Sequence, residues 1–378
     1  MNTLRNFFRQ LTKKQLIVFS LLAVLSLTSI IFVYNNAYFY DRPIAKVIKV
    51  ENSSPKENTD SYQNKDKLFS QNILAKVKNG PQKDKLIQLK NTYSSSHAYD
   101  QKYLEGNELF VTIDMHTTSN NMLTGGIKDV KRDKYIVLVA WIFIFVLLLV
   151  GKKQGLFSAV SIGVNTLLLT YAIDLNVRTN TNLLLICGIT AVLFTVVSLL
   201  LVNGMNEKTY AAIVATLLGT ISSLLITYLV MRLTSENGLY YEEMQFLTRP
   251  YRLVFIAGLI IGSLGAVMDV AVTMSSSIFE LYQKDNSISL KALKTSGLDI
   301  GRDIMGTMTS ILFFAYISGS IPILILYLRN ASPLGFTLSM NLSLELARAM
   351  AGGIGIVLTI PIGLYTSIYF IKRKRAKI

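Results

Sequence analysis

Gly258-Leu-Ile-Ile-Gly262-Ser-Leu-Gly265-Ala-Val-Met-Asp269-Val-Ala-Val-Thr273-Met-Ser-Ser276-Ser-Ile-Phe-Glu280 decides how this chain is read. Its polar and small residues advance by 4, 3, 4, 4, 3 and 4 positions. At 100° per residue they fall on one narrow face of a helix, and Leu, Ile, Val and Met fill the other. The segment is long and apolar enough to cross a hydrocarbon core about 30 Å thick. Small residues at this spacing let helix backbones approach closely, which accounts for Gly258, Gly262 and Gly265. Asp269 needs a further explanation. A carboxylate at the centre of a membrane costs about 2.5–3.5 kcal/mol, so it must face a partner or a water-filled cavity, or be protonated. It is either a functional group or a buried hydrogen-bonding one.

Working outward, the 378-residue chain is 51% hydrophobic and only 16% charged, too little charge to cover a soluble surface of that size. The first apolar block is Gln15–Tyr34, which follows Arg5, Arg9, Lys13 and Lys14 and reads as an uncleaved anchor. Seven more follow: Tyr135–Val150, Leu156–Leu175, Leu183–Val202, Tyr210–Met231, Arg252–Ser276, Ile304–Leu328 and Leu344–Ile371. Joined alternately, they put both termini and 151–155, 203–209 and 277–303 on one side, with nearly all the loop lysines and arginines. The other short loops hold only Arg178, Arg232, Arg249 and Arg329. The positive-inside rule makes the basic side cytoplasmic. The expected fold is therefore an all-α transmembrane bundle of about eight spans in a bacterial cytoplasmic membrane, both termini cytoplasmic, with a small, mostly β extracytoplasmic domain inserted after the first span. The expected divisions are an N-terminus and anchor over 1–34, the β-rich domain over 35–133, a seven-span membrane domain over 134–371 and a basic tail over 372–378.

The net charge of +15 could suggest nucleic acid. Its distribution argues against that partner. Segment 35–132 has 15 Lys+Arg against 11 Asp+Glu, and most of the surplus flanks the apolar blocks. Short β-like runs occur at Ile44–Val50, Ile73–Val77, Leu86–Leu89 and Leu109–Ile113, with turn signals at Asn79-Gly80-Pro81 and Gly125-Gly126. The stretch 51–66 reads as a flexible loop. His97 and His116 lack a metal-ligand spacing and read as surface residues, so no metal site is expected. Cys187, the single cysteine, reads as a packing residue. No cofactor motif, HExxH, GxSxG or Walker A sequence is present, and no enzyme is expected.

Further polar positions continue the stripe. Thr273, Ser276 and Glu280 extend the intramembrane groove around Asp269, and Asn165 is the strongly polar residue of the third block. The run Ser289–Gly297 reads as a short amphipathic helix ending at its glycine. Asp299, Asp303, Gly306 and Ser310 then share a face, with Arg302 in reach of Asp299. Asp299, Arg302 and Asp303 form a candidate cytoplasmic vestibule. In the last block Glu345, Arg348, Gly352, Gly355 and Thr359 step by 3, 4, 3 and 4. Glu345 and Arg348 make a candidate outer ion pair, Gly352 and Gly355 join Gly306 as packing positions, and Pro361 suggests a kink.

Gly262-Ser-Leu-Gly-Ala-Val-Met-Asp269-Val-Ala-Val, Ser276-Ser-Ile-Phe-Glu280-Leu, Gly301-Arg-Asp-Ile-Met-Gly-Thr-Met308 and the Glu345…Pro361 helix resemble the YibE/F family of bacterial multi-pass membrane proteins. The resemblance covers roughly 134–371, and the anchor plus external domain looks like the YibE-type member. It implies topology and a choice of residues rather than a chemistry. Partners consistent with it are the lipid bilayer, a YibF-type membrane subunit or a second copy, and an unidentified small solute or ion. Three functions stay open: a permease or transporter subunit, a membrane platform or receptor that binds a partner or envelope component through its external domain, and an intramembrane enzyme.

Overall fold

A computed structural model describes residues 13–97, 100–114, 122–179, 181–244 and 250–376. The chain divides into two compact units at Val146/Leu147.

In the first unit, helix α1 (Lys13–Asn35) runs into a 3-10 turn (Asn36–Phe39). Six strands follow: β1 (Ile44–Asn52), β2 (Lys56–Thr59), β3 (Lys65–Val77), β4 (Leu86–Ser94), β5 (Glu108–Ile113) and β6 (Leu123–Val130). Strand order is β1-β5-β6-β4-β3-β2, and β1 also pairs with β3. That second pairing closes five strands into a barrel, with β2 left as an extra edge strand. All pairings are antiparallel except β4–β6, the connectivity of an OB-type barrel. The period-two alternation of apolar residues sends Ala45, Val47, Ile73, Ala75, Val77, Ile87, Leu89, Leu109 and Val111 into the interior. Gly125 sits at the closure point, paired with Leu89 on one side and Ile113 on the other. A Cβ there would collide with the Thr112 carbonyl oxygen, so the strands can meet only at glycine.

A buried charge cluster joins the barrel to its two flanking helices. The Lys131 side chain, 2% exposed, reaches Glu108 (3.1 Å) and Asp133 (3.3 Å), and donates to the Val33 carbonyl at 2.9 Å. Asp133 also accepts from Asn36 and Tyr40, both at 3.0 Å. The ammonium thus has three acceptors, as a buried cation requires.

In the second unit, helix α2, which begins at Asp133 in the first unit, ends at Thr179 and is broken by a non-helical Lys152 (φ 47°, ψ −121°). The chain continues with α3 (Leu183–Asn203), α4 (Glu207–Leu233), α5 (Tyr251–Lys284), α6 (Leu290–Ser318), α7 (Ile321–Arg329) and α8 (Leu334–Arg375). The core of this unit is built where α4, α5 and α8 touch through small residues. An added Cβ on Gly219 would collide with the Thr359 hydroxyl, and one on Gly355 would lie 2.7 Å from Val267 Cγ2 and 3.3 Å from Ser223. Ser223 donates to the Ala351 carbonyl at 2.6 Å, and Ser367 donates to Ser275 at 3.2 Å. Without water between them, such helices are held by close packing and these short polar links.

The expectation of an all-α bundle of about eight spans carrying a small β appendage is corrected. Among the described residues six helices are long and apolar enough to cross a membrane, seven if a bent pair counts as one. The second and third apolar blocks lie in the run Asp133–Thr179, which is two helices meeting at the kink at Lys152. The block 304–328 is split between α6 and α7 with a 51° bend, because Gly319 and Ser320 interrupt the helix ahead of Pro322 at its restart. The β region is a closed barrel with two strands, β2 and β6, that the sequence reading left out. Part of the supposed loop 51–66 is paired strand, and Gly125-Gly126 lies inside β6 rather than in a turn. Helix α6 runs through Gly297 without ending there. Gly297 is buried, 2.7 Å (from an added Cβ) from Ile278 Cδ1, so its role is close approach. Helix α8 likewise continues through Pro361.

These contacts sort the glycines by substitution. Gly219→Leu and Gly355→Leu each destabilise the detergent-solubilised chain by about 1–3 kcal/mol, the cost of overpacking. Gly265→Ala and Gly306→Ala, where an added Cβ meets nothing within 4 Å, leave stability unchanged or raise it slightly, since alanine is the better helix former. Thermal unfolding of the four variants checks the division; equal losses in all four would contradict it.

Candidate functional site

The side of α5 that packs is its apolar side. Phe255, Leu259, Val267, Val270, Met274 and Ile278 are buried, against α4 and α8 through Gly219, Gly355 and Gly363. The stripe read from the sequence therefore turns away from the bundle. Gly258, Gly265, Asp269 and Glu280 are exposed, and Gly262, Thr273 and Ser276 are half-buried. This is the same sense as in a soluble protein, apolar face packed and polar face outward, but there it is water that draws the polar face out. Here both faces lie within an apolar solvent, and only the tightness of packing has chosen between them.

Asp269 has no hydrogen-bond or ion-pair partner among the described residues. Thr273 spends its hydroxyl on the Asp269 backbone carbonyl at 2.8 Å, leaving the carboxylate oxygens unengaged. Two turns before Asp269, or about 10 Å along the axis, the Tyr316 hydroxyl of α6 lies over Gly262, where an added Cβ would collide with it. Tyr316 was not singled out in the sequence, where it is one aromatic among many in an apolar block. Arg348 of α8 lies beside Gly258, with Nε 3.9 Å from the position of an added Cβ. Arg348 is held by its hydrogen bond to Glu345 and stacks on Phe255, 5.4 Å from the ring centre. A cation and a phenol thus border one end of the stripe.

At the other end, α5 and α6 form a helical hairpin closed by the turn 285–289. Gly297 and Gly301 of α6 are buried, Gly301 against Ile360 of α8, so α6 too presents its opposite side outward. Asp299, Arg302, Asp303, Gly306 and Ser310 are all exposed. Arg302 pairs with Asp299 at 3.2 Å; Asp303 and Glu280 have no partner among the described residues. The hairpin brings the Glu280 end of α5 alongside the Asp299 end of α6, since Ile278 meets Gly297. Arg375 donates to the carbonyls of Asn286 (3.1 Å) and Ile288 (2.7 Å), which ties the end of α8 to the hairpin turn.

The remaining sequence-selected residues lie elsewhere. Asn165 on α2 donates to Ser198 on α3 at 2.7 Å and has no contact with Asp269. Gly352 packs on Leu312, and Gly306 faces open space. His97 on the barrel lies 3.7 Å from Asp100 and stacks on Tyr93; His116 is outside the described residues. Gly297 and Gly301 bring α6 onto its neighbours; their four-residue spacing is a small-xxx-small pair, and it is that spacing, not a helix end, that carries the signal.

Two family matches cover nearly the whole chain: YibE/F-like protein over residues 139–373, and YibE/F family N-terminal domain over residues 38–130. The chain belongs to the YibE/F family of multi-pass membrane proteins. No curated protein and no solved structure matches it.

Proposed function

We propose that this chain is a permease or transporter subunit, with a polar groove along the outward faces of α5 and α6 centred on Asp269. One observation carries the reading: packing fixes the rotation of α5 so that an intramembrane carboxylate points away from its own bundle with no partner among the described residues. A carboxylate left against lipid would be expensive, and such residues line ion or solute paths by default. Asp269 is the group that binds and releases a proton or cation. Glu280, Asp299 and Asp303 draw cations to one mouth of the groove, and Arg302 limits their excess negative charge. The lipid-facing wall is supplied by a second membrane subunit, either a YibF-type protein or another copy. Its absence would leave two adjacent polar helix faces in hydrocarbon.

The test is a flux assay in proteoliposomes across a panel of ions and small solutes. Asp269→Asn keeps the hydrogen-bonding shape and removes the ionisable group. The expected result is a folded variant with flux abolished; full flux in a folded Asp269→Asn protein would leave packing as the residue's only role. A second reading makes the barrel a docking module for a partner or envelope component. It is favoured by a polar cleft on the barrel lined by His97, Asp100, Lys102, Lys128, Asp129 and Arg132. A partner that copurifies with a chain showing no flux would select it.

We also propose that the barrel is extracytoplasmic, in a bacterial cytoplasmic membrane, and that the basic ends at 284–302 and 372–377 face the cytoplasm. The support is the excess of lysine and arginine there. A cysteine at Ser95 reacts with an impermeant thiol reagent on intact cells, and one at Ser287 reacts only after permeabilisation. The reverse pattern would overturn the orientation.

A further inference from the structure

We propose that the β3–β4 turn, Lys78–Lys85, with Arg42 and the aromatic collar Tyr38–Phe39, is a seat for the phosphate headgroups of anionic phospholipids where the first helix leaves the membrane.

The position follows from chain connectivity. The first candidate span is Ser20–Phe39. The turn is fastened to the residues that come directly after it. Buried Asn79 donates to the carbonyls of Tyr40 (2.8 Å) and Arg42 (3.0 Å) and accepts from the Ile44 amide (2.7 Å). The Lys78 amide donates to the Ile44 carbonyl at 2.7 Å. Every anchor lies within five residues of the end of the span, a reach of at most about 17 Å for extended chain. The bonds from Lys131 and Asp133 to Val33, Asn36 and Tyr40 pin the same end of the barrel to the same helix end. This end of the barrel therefore lies at the depth of the headgroups.

The chemistry fits that depth. Tyr38 and Phe39 are 87% and 73% exposed, an extreme value for aromatics on a water-facing surface and the ordinary one for rings in the membrane interface. Around them Arg42, Lys78, Lys83 and Lys85 are exposed, and none has an ion-pair partner among the described residues. The nearby acid Asp84 is engaged by Lys76 at 3.0 Å. Beside these four cations Asp41 is the acid without a partner among the described residues, Asp84 is engaged by Lys76 and Asp133 by Lys131, Asn36 and Tyr40, which leaves a surface complementary to clustered phosphates. The turn is already ordered. The Asp84 amide donates to the Val77 carbonyl at 2.9 Å and the Lys83 amide to the Gly80 carbonyl at 3.1 Å, so headgroups meet lysines carried on an ordered backbone.

The test uses the full chain reconstituted in phosphatidylcholine vesicles with or without phosphatidylglycerol, read by amide hydrogen exchange. Phosphatidylglycerol should slow exchange over 78–85 several-fold, and raised salt should remove the effect. The combined variant Lys78→Gln, Lys83→Gln, Lys85→Gln should lose the lipid dependence while the amides of Ile73–Val77 and Ile87–Leu89 keep their protection, which shows the barrel folded. Lys56→Gln with Lys65→Gln is the control. Lys65 begins the 13-residue strand β3, about 40 Å from the turn, and the control should behave as the unaltered chain. Equal exchange in both vesicle types would overturn the proposal, as would a lipid effect that survives the triple substitution or disappears in the control.

Discussion

The close approach of α4, α5 and α8 is the constraint on which the membrane unit depends. Gly219, Gly355, Thr359 and Val267 meet with no room for another methyl group. Helices that touch this closely cannot rotate about their axes without collision. The rotation of α5 is fixed by Val267, Met274 and Ile278 on its inner side, and a 3.6-residue period then fixes where Asp269 must point. The same holds one helix on, where Gly297 and Gly301 seat α6 on Ile278, Ile360 and Leu364 and turn Asp299 and Asp303 outward. Sequence places the polar residues on one face, packing chooses which face is inside, and function follows from the face that is left.

Much of this was legible. The 4-3-4-4-3-4 spacing in the Asp269 segment needs no structure to show a stripe, and the apolar blocks needed only length. What the spacing leaves open is direction. In water a polar stripe faces outward by default; in hydrocarbon its polar groups are costly against lipid, and direction depends on the shape of the neighbours and on what covers the stripe. Single glycines are ambiguous for a related reason. Gly265 and Gly355 have the same local sequence character, yet one faces open space and the other a valine methyl. Gly297 looks like a helix end because its preceding turn is polar; the methyls of Ile278 and Leu364 that require it are 19 and 67 residues away in sequence. Counting blocks also fails where a helix bends, as at Gly319.

The barrel shows the same division between local and distant causes. The alternation in β1, β3, β4 and β5 was visible because alternate residues along their core-facing stretches are buried. β2 is exposed throughout and has no alternation to detect, and β6 contains Gly125 and Gly126, which resemble a turn. Only the pairing of one strand with two neighbours reveals why glycine is needed there. Lys131 is hidden from sequence reading for another reason: a lysine beside Arg132 and Asp133 reads as solvated, and its burial depends on Val33 and Glu108 reaching it from two other elements.

Cysteine accessibility along α5 tests the central claim most directly. In a Cys187→Ala background, single cysteines at Gly265, Thr273 and Ser276 sample the outward face, and those at Val267, Met274 and Ile278 sample the packed one. A polar groove predicts reaction of the first three with a small, water-soluble methanethiosulfonate and protection of the second three. Protection of Gly265, Thr273 and Ser276 from that reagent, with ready reaction toward a lipid-soluble maleimide, would place the stripe against hydrocarbon and contradict the account.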